Sequence, residues 1–545
     1  MPSAVAISPP RPTRVEPVSV QRLAASIGAR VVSAHGETVA SSSVRTTGVT
    51  LRAQHVAVGD VFAALPGSHT HGAEHAAAAL DAGACAVLTD EEGARRSALA
   101  THPAVTRGDV PLLVHPEPRR VLGELASEIY GSPSERLSVI GITGTSGKTT
   151  TSYLVEAGLR RAGLVTGLVG TVETRVAGSR LDSAFTTPEA PDLQALLAVM
   201  VERGVTHVVM EVSSHALALG RVSGVGFAAG GFTNLSRDHL DFHRDMEDYF
   251  AAKAMLFDGR CAREVVCTDT EWGRRLDRPG VVTVATRGRA DWTATDVVAH
   301  PSGEQCFTAH GPGGVRTGIR LRLPGPFNIA NALLATALLH EIGVSGPAVE
   351  EGLAEVDVPG RMERVAAGQD FAAVVDYSHK PDAVEAVLEA ARSQAGGRVL
   401  VVLGCGGDRD AEKRPLMGST AARLADLVIV TDDNPRGEDP AAIRASVLAG
   451  AREVPEEERA VLCEIGDRRE AIGEAVRRAE RGDVVVVAGK GHETGQEVAG
   501  VTHPFSDRDE LAAALSERRG SPQRSETAAA RRSPGHTRDS DEEAR

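Results

Sequence analysis

At 545 residues the chain exceeds one ordinary core, and about 150 residues per domain suggests about three or four units. Hydrophobic residues make up 42% and charged residues 24%, as in globular proteins, while 3% aromatic content leaves Ala, Val and Leu to build the cores. A formal charge of -14 argues against a general binder of nucleic acid or acidic membrane, because polyanions attract net positive surfaces.

The opening residues, Met1 to Pro17, lack the apolar run of a secretory signal, and no stretch is long enough to span a bilayer. We therefore expect a cytoplasmic protein without membrane insertion. From about Val18 to His115, short helical patterns mix with apolar runs at Asp60–Leu65 and Ala84–Leu88, predicting a small α/β domain over 18–118. A helix over Arg119–Tyr130 precedes Leu137–Ile142, an apolar run that turns glycine-rich and becomes helical at Lys148. Further buried strands are predicted at His207–Val212 and Phe227–Leu235, separated by helical patterns, so this sheet should be largely parallel. Val281–Leu323 alternates as an antiparallel appendage would, closing a second domain at 119–358. Beyond Pro359-Gly360 the strand–helix rhythm restarts, with strands at Phe371–Asp376, Arg398–Leu403, Leu427–Thr431 and Val484–Ala488. This predicts a doubly wound third domain over 359–518. In the tail, 519–545, Arg, Asp and Glu stand among Ser, Pro and Ala, too little apolar surface to offset ordering entropy, so disorder is expected there.

The six cysteines (Cys85, Cys261, Cys267, Cys306, Cys405, Cys463) show no CxxC pair and are read as reduced, mostly buried, and neither zinc-binding nor catalytic. His69, His71 and His75, on a glycine-bounded loop without Cys or carboxylate partners, are read as surface residues.

The most informative stretch is Gly144-Thr145-Ser146-Gly147-Lys148-Thr149. Glycines there let backbone N–H groups curl toward a phosphate at the positive end of the following helix. Lys148 would reach the terminal phosphates and Thr149 would offer a hydroxyl to magnesium. The strict GxxxxGK[ST] form fails because its first glycine falls on Ile142. The place between buried strand and helix nevertheless marks a nucleotide site.

Thr143 to Thr150 resembles the shortened phosphate loop of the Mur ligases, bacterial enzymes of cell-wall precursor synthesis. Thr186-Thr187-Pro188, Glu211 to Leu217, Phe232 to Asp241, Gly360 to Arg364, Gly404 to Asp410 and Ala488 to Glu493 follow in the family's order. Within the family they are similar to the MurE branch, which adds the third peptide residue, and the resemblance runs from about 45 to 515. It implies a three-domain α/β fold: a small N-terminal α/β domain that binds UDP, a central phosphate-loop ATPase domain with a parallel sheet, and a C-terminal Rossmann-like domain that binds the amino acid. It further implies a ligase that activates a carboxylate as an acyl phosphate with ATP and magnesium before an amine attacks.

By the same resemblance, Gly144, Thr145, Ser146, Gly147, Lys148, Thr149 and Thr150 would bind ATP, with Asn328 by the adenine and Arg361 and Asp376 near the γ-phosphate and ribose. Thr149, Glu211 and His239 would hold magnesium. Lys253 would take up carbon dioxide to become an anionic carbamate ligand. Lys148, Lys253, His239 and Arg361 are thus the expected catalytic set, Arg361 joining when the third domain closes. Alone, Glu211 reads as a strand-end carboxylate paired with an Arg, His239 as a cap or core histidine, Lys253 as a solvated helix residue, and Asn328 and Asn331 as helix caps.

For specificity, Arg436 in Asp433-Asn434-Pro435-Arg436 suits the distal carboxylate of a diamino dicarboxylic acid, although Asn-Pro by itself reads as a turn. The resemblance associates that motif with diaminopimelate and adds Arg409, Gly489 and Glu493 to the pocket. Thr186, Thr187, Ser213 and Arg221 match contacts to the UDP-N-acetylmuramoyl dipeptide. Arg52-Ala53-Gln54 replaces an Asp-Ser-Arg often seen in the family, so either another group, such as one in the loop Pro66–Gly72, serves the uracil or the nucleotide is held differently. Leu219 replaces a glutamine and Lys380 a frequent threonine. We expect a monomer acting on small molecules. The competing readings are a folylpolyglutamate synthase-like ligase and a nucleotide-binding regulator without catalysis.

Overall fold

Short apolar runs such as Val399–Leu403 and Val484–Ala488 become the inner strands of three main sheets. The computed structural model describes residues 9–32, 43–67, 69–181, 186–300 and 303–520. The expected disordered stretch lies outside these from 521 onward, as does Ser68 of the loop Pro66–Gly72.

The first sheet has five strands in the order Arg30–Val32, Leu112–Val114, Ala86–Thr89, Asp60–Ala63 and Gly48–Thr50. All neighbours run parallel except the first pair. A strap ahead of it ties this unit to the next. Arg11 forks onto the buried carboxylate of Asp60 at 2.8 and 2.7 Å, and the backbone N–H groups of Thr13 and Arg14 donate to Glu202 at 3.0 and 2.9 Å. Glu202 ends the helix Ala190–Glu202 of the second unit. His69 and His75 are exposed, but His71 is buried, contrary to its reading as a surface residue. Its Nδ1 accepts from Ala73 N at 3.0 Å and its Nε2 lies 3.1 Å from Asp90, so it caps the turn Gly72–His75. The tight turn of the loop, bridged between Pro66 and His71, folds the ring inward.

The second sheet has eleven strands. Seven are parallel, in the order Thr166–Val169, His207–Glu211, Ser138–Thr143, Ala229–Phe232, Glu264–Cys267, Val282–Ala285 and Trp292–Ala299. A hairpin, Thr174–Val176 with Ser179–Leu181, extends one edge, and Gln305–His310 with Arg316–Leu321 extends the other. The stretch Val281–Leu323 is therefore not a wholly antiparallel appendage. Its first two strands continue the parallel sheet, and only then does the chain turn back on itself. Helices Lys148–Arg161 and Pro326–Glu341 cover one face through Leu154, Leu159, Leu333 and Leu338; Ala190–Glu202 and Met246–Ala254 cover the other through Leu193, Leu197, Tyr249 and Phe250. The chain builds to one side of Ser138–Thr143 and then to the other, so the carboxyl end of that strand is where the topology reverses and a ligand crevice opens.

The third sheet runs Glu363–Arg364, Ala372–Asp376, Val484–Ala488, Val399–Leu403, Leu427–Val430 and Val461–Glu464, parallel but for its two-residue edge strand. Late insertion of Val484–Ala488 beside Ala372–Asp376 makes the second reversal point. Leu511 and Leu515 bury the closing helix, Asp507–Gly520, against this unit.

Arg468 and Asp507 are wholly buried together, with Nε and Nη2 donating to the two carboxylate oxygens at 2.7 and 2.8 Å. Removing the charge from one partner leaves the other uncompensated in a fully buried site, a loss of about 3 kcal/mol or more. Asp507→Asn should therefore lower the urea midpoint of the third unit's unfolding. A variant unfolding at the unaltered midpoint would show that the pair contributes nothing net.

Candidate active site

The strand Ser138–Thr143 delivers the chain into the phosphate loop, and helix Lys148–Arg161 begins with Gly147 as its cap. Gly147 has φ +87°, and a Cβ there would collide with the amide oxygen of Asn331. A side chain is excluded twice over. Asn331 in turn donates to Asn328 Oδ1 at 3.1 Å, and Asn328 donates to Pro324 O at 2.7 Å. These asparagines are not the caps of helix Pro326–Glu341, since Gly325 holds that place; they buttress the loop from inside the helix. Asn234 braces the other side, its Oδ1 accepting from Ser146 N at 3.0 Å and its Nδ2 donating to Ser146 O at 3.1 Å. Thr150 is buried in the helix's first turn.

Two lysines converge on one carbonyl. Lys148 Nζ donates to Gly144 O and Thr145 O at 3.0 Å each, and Lys253 Nζ donates to Gly144 O at 2.7 Å. Thr145 is tied by its hydroxyl to Tyr249 at 3.1 Å. Burial pushes Lys148 down to about 8, although Glu211 opposes it. Lys253 is not a solvated residue: it is 1% exposed, lies 4.6 Å over the Tyr249 ring, and burial with the nearby charge of Lys148 holds it well below the usual lysine range.

Thr149 and Glu211 are brought together, the hydroxyl donating to Glu211 Oε1 at 2.9 Å. The carboxylate also accepts from Thr171 N and Thr171 Oγ1, each at 2.9 Å. Glu211 is thus fixed by threonines rather than paired with an arginine. Hydroxyl and carboxylate oxygens are donors suited to magnesium, which takes few protein ligands and completes its shell with water and phosphate. Accordingly, among the described residues no cluster of three His, Cys, Asp or Glu side chains is gathered that could hold a metal. His239 has a different neighbourhood. At φ +53° its ring packs edge-on to His215 at 4.9 Å and Tyr249 at 5.9 Å, with Nε2 3.2 Å from Asp238. Burial, opposed by Asp238 and reinforced by Lys148, brings it down to about 4.

The third unit closes on this surface. Arg361 Nη2 reaches Thr149 Oγ1 at 3.4 Å while its guanidinium lies 4.4 Å over the Tyr377 ring. Lys380 pairs with Asp238 at 2.8 Å and Arg237 with Glu412 at 3.0 Å. Burial would raise the Asp238 carboxyl, but Lys380 and His239 hold it well below the usual carboxylate range. Asp376 accepts from Met362 N at 2.7 Å and Ser378 N at 2.9 Å, and burial raises its pKa despite these bonds. Tyr377 packs against His492 at 5.2 Å, so contacts run unbroken from Thr149 through Arg361 and Tyr377 to the segment bearing Glu493.

Around Glu211 the acceptor candidates form a connected set. Thr186 Oγ1 lies 3.1 Å from Thr171 Oγ1, and Thr187 Oγ1 donates to Glu211 O at 2.9 Å and accepts from Ser213 N at 3.3 Å. Ser213 caps helix Ser214–Ala218, and Arg221 pairs with Glu189 at 2.9 Å while donating to Thr187 O at 3.3 Å. Arg52-Ala53-Gln54 leads into the turn Ala53–His55 of the first unit.

The amino-acid candidates lie at the carboxyl ends of the third sheet. Asn434 Nδ2 donates to Glu493 at 2.9 Å. Gly489, at φ +121°, abuts the Asp433 carboxylate, which a side chain there would have to displace. Arg436 donates to Gly407 O at 2.7 Å and lies 3.3 Å from Glu497. Arg409 is exposed and, like Arg436, borders Gly406; the carbonyl of Pro435 closes over Gly407. Thr171, Tyr249, Asp238 and Lys490 belong to this cleft yet were not singled out from sequence, and Asn331 was read only as a cap. Each is joined to its partner by folding rather than by a motif, though Asp238 and Lys490 stand within motifs already noted. All six cysteines are free; Cys261, Cys267 and Cys405 are buried and the other three only half-buried.

Comparison with known proteins adds the following. A model of the Mur ligase family catalytic domain matches residues 45–130, one of the Mur ligase middle domain matches 142–339, and one of the Mur ligase glutamate ligase domain matches 360–491. The UDP-N-acetylmuramoyl-L-alanyl-D-glutamate–2,6-diaminopimelate ligase of Corynebacterium glutamicum is 54% identical over 469 residues, covering 84% of this chain and 89% of its own. The protein of the same name from Streptomyces coelicolor is 50% identical over 519 residues, covering 94% and 99%. A solved structure of a ligase of that name superposes with a TM-score of 0.63 at 30% identity, covering 90% of this chain and 99% of its own.

The packing at Gly147 yields a direct test. Gly147→Ala should weaken ATP binding at least about tenfold in a fluorescent-nucleotide titration, because positive φ and the Asn331 contact both oppose a side chain. Unchanged affinity would mean that the loop does not hold the nucleotide.

Proposed function

Because this chain belongs to the Mur ligase family, we propose that it joins diaminopimelate to UDP-N-acetylmuramoyl-L-alanyl-D-glutamate at the expense of ATP, in the cytoplasm, during peptidoglycan precursor synthesis. The supporting observation is the contact path Thr149, Arg361, Tyr377, His492, which puts the phosphate loop and the amino-acid candidates on one closed cleft. Identity of 50% over nearly the whole chain favours this reading over a folylpolyglutamate synthase-like ligase or an inactive regulator.

A carboxylate is a poor electrophile until its oxygen becomes a leaving group. Transfer of the γ-phosphoryl group to the dipeptide's carboxylate makes an acyl phosphate, which the amine of diaminopimelate attacks with release of phosphate. Catalysis of such transfer is mainly positioning and charge neutralisation. In this role Lys148 and Arg361 face the transferring phosphate from opposite units, Asn328 supports the adenine side and Asp376 the ribose. Magnesium would be held by Thr149 and Glu211, with His239 reaching it from the Asp238 segment, and would neutralise phosphate charge when bound. Closure of the third unit shields the acyl phosphate from water.

Lys253 completes the site as a carbamate. Burial disfavours the charged form of this lysine, and its deprotonated amine is a nucleophile for carbon dioxide: neutral Nζ adds to the carbon, one proton leaves, and an anionic carbamate stands near Lys148 and Lys380. The dipeptide is gripped by Thr186, Thr187, Ser213 and Arg221. Arg436 and Arg409 receive one end of diaminopimelate, while Asp433, Asn434, Pro435, Gly489 and Glu493 shape the other.

Product mass with diaminopimelate or lysine as donor tests the assignment. Diaminopimelate should be ligated and lysine should not, and Arg436→Ala should raise the KM for diaminopimelate at least about tenfold, the worth of one charge-assisted pair. Equal use of lysine would overturn the role of Arg436. Stripping bicarbonate should lower turnover reversibly in the native protein, and carbon-13 bicarbonate should give a carbamate resonance that Lys253→Arg lacks. Absence of that resonance would leave Lys253 an ordinary amine.

A further inference from the structure

We propose that Lys490 is a positioning residue for the amino-acid substrate, acting through Asn434 and Glu493; the inference rests on the pocket read above. Lys490 follows strand Val484–Ala488 and is wholly buried. Its Nζ donates to Asn434 Oδ1 at 2.9 Å and to Glu493 Oε2 at 3.2 Å, with Asp433 Oδ1 4.0 Å away. One ammonium thus joins three of the residues expected to shape the pocket.

The two ends of a carboxamide have the same shape and opposite hydrogen-bonding sense, so its partners decide which way it points. Asn434 Oδ1 accepts both from Lys490 and from Glu497 N, the latter at 3.0 Å. Both bonds require oxygen on that side and leave Nδ2 on the other, where it donates to Glu493 Oε2 at 2.9 Å. Oε2 therefore has two donors, and Oε1 is left to receive the substrate's ammonium. The remaining N–H of Asn434 suits a substrate carboxylate. An apolar side chain would fill the space of Lys490 without desolvating a charge. What the ammonium supplies is restraint: without it Asn434 Oδ1 is held by Glu497 N alone, and Glu493 Oε2 loses one of its two donors, so both groups can shift from the places that meet the substrate.

The test uses the full chain and steady-state kinetics with diaminopimelate, ATP and the UDP-linked dipeptide each varied. Lys490→Met should raise the KM for diaminopimelate at least about tenfold while the KM values for ATP and the nucleotide-linked acceptor stay within about twofold. Lys490→Gln, which retains an N–H donor without the charge, should fall between. In an Asn434→Ala background the Lys490→Met substitution should add much less than in the native chain, because a residue acting through another is non-additive with it. An ATP titration shows whether each variant is folded; should Lys490→Met fail it, the Lys490→Gln pair of measurements decides. An unchanged KM for diaminopimelate, or equal and additive effects in both backgrounds, would overturn the inference. If the native chain uses no diaminopimelate, the reading of the pocket fails instead.

Discussion

Positive charge crowded around a single carbonyl governs this molecule. Lys148 and Lys253 both turn to Gly144 O, and closure adds Arg361 at Thr149 and Lys380 at Asp238. In a medium of low dielectric such cations repel, and the anions close at hand, Glu211 and Asp238, are themselves tied down by threonines and by Lys380. The arrangement is completed by a polyanion. ATP supplies it, and a carbamate on Lys253 would replace one of the repelling charges with an attracting one. The same reasoning couples chemistry to closure: bringing Arg361 and Lys380 toward the loop is less costly when phosphates lie between.

The scaffold makes this crowding possible by placing two topological reversal points face to face. Ser138–Thr143 carries the phosphate loop at one, and Ala372–Asp376 with Val484–Ala488 carries Tyr377 and the Gly489–Glu493 segment at the other. Loops at such ends have free backbone groups and little steric competition, so both nucleotide and amino acid can be held by turns rather than by strands. The first unit enters through its strap, where Arg11 and Glu202 join sheet to helix across the boundary.

Much of this was legible in the sequence because it is local. The strand–loop–helix around Gly144–Lys148, the parallel strands at His207–Glu211 and Val399–Leu403, and the Asp433–Arg436 turn each follow from a short pattern. What was not legible is pairing at a distance. Nothing in a chain announces that Thr171 will bind Glu211 forty positions later, or that Asn331 will back onto Gly147. His71 was misread because exposure was inferred from composition, whereas the turn bridged between Pro66 and His71 decided burial. The edge of the central sheet was misread because strand alternation reports one solvent-facing side and says little about direction.

Backbone strain falls on Arg436, the residue proposed to set specificity. Its backbone has φ +50°, a conformation that favours glycine, and a bulky side chain there persists only when surroundings over-determine it. Those surroundings are visible. Arg436 N donates to Glu497 O at 3.0 Å and Ala499 N donates to Arg436 O at 2.7 Å, pinning the turn to the hairpin Gly495–Val498 with Val501–Pro504. Glycine would adopt the turn at lower cost but would carry no guanidinium. In the proposed pocket, strain at this position would couple to recognition: the hairpin holds a side chain that the turn alone would reject. The hairpin's Glu497 also fixes Asn434 through its own N–H, so one short sheet orients both halves of the Asp433–Arg436 motif. A turn and the proposed pocket are then not competing readings of that motif, because the turn's unusual geometry is what sets the direction of its arginine.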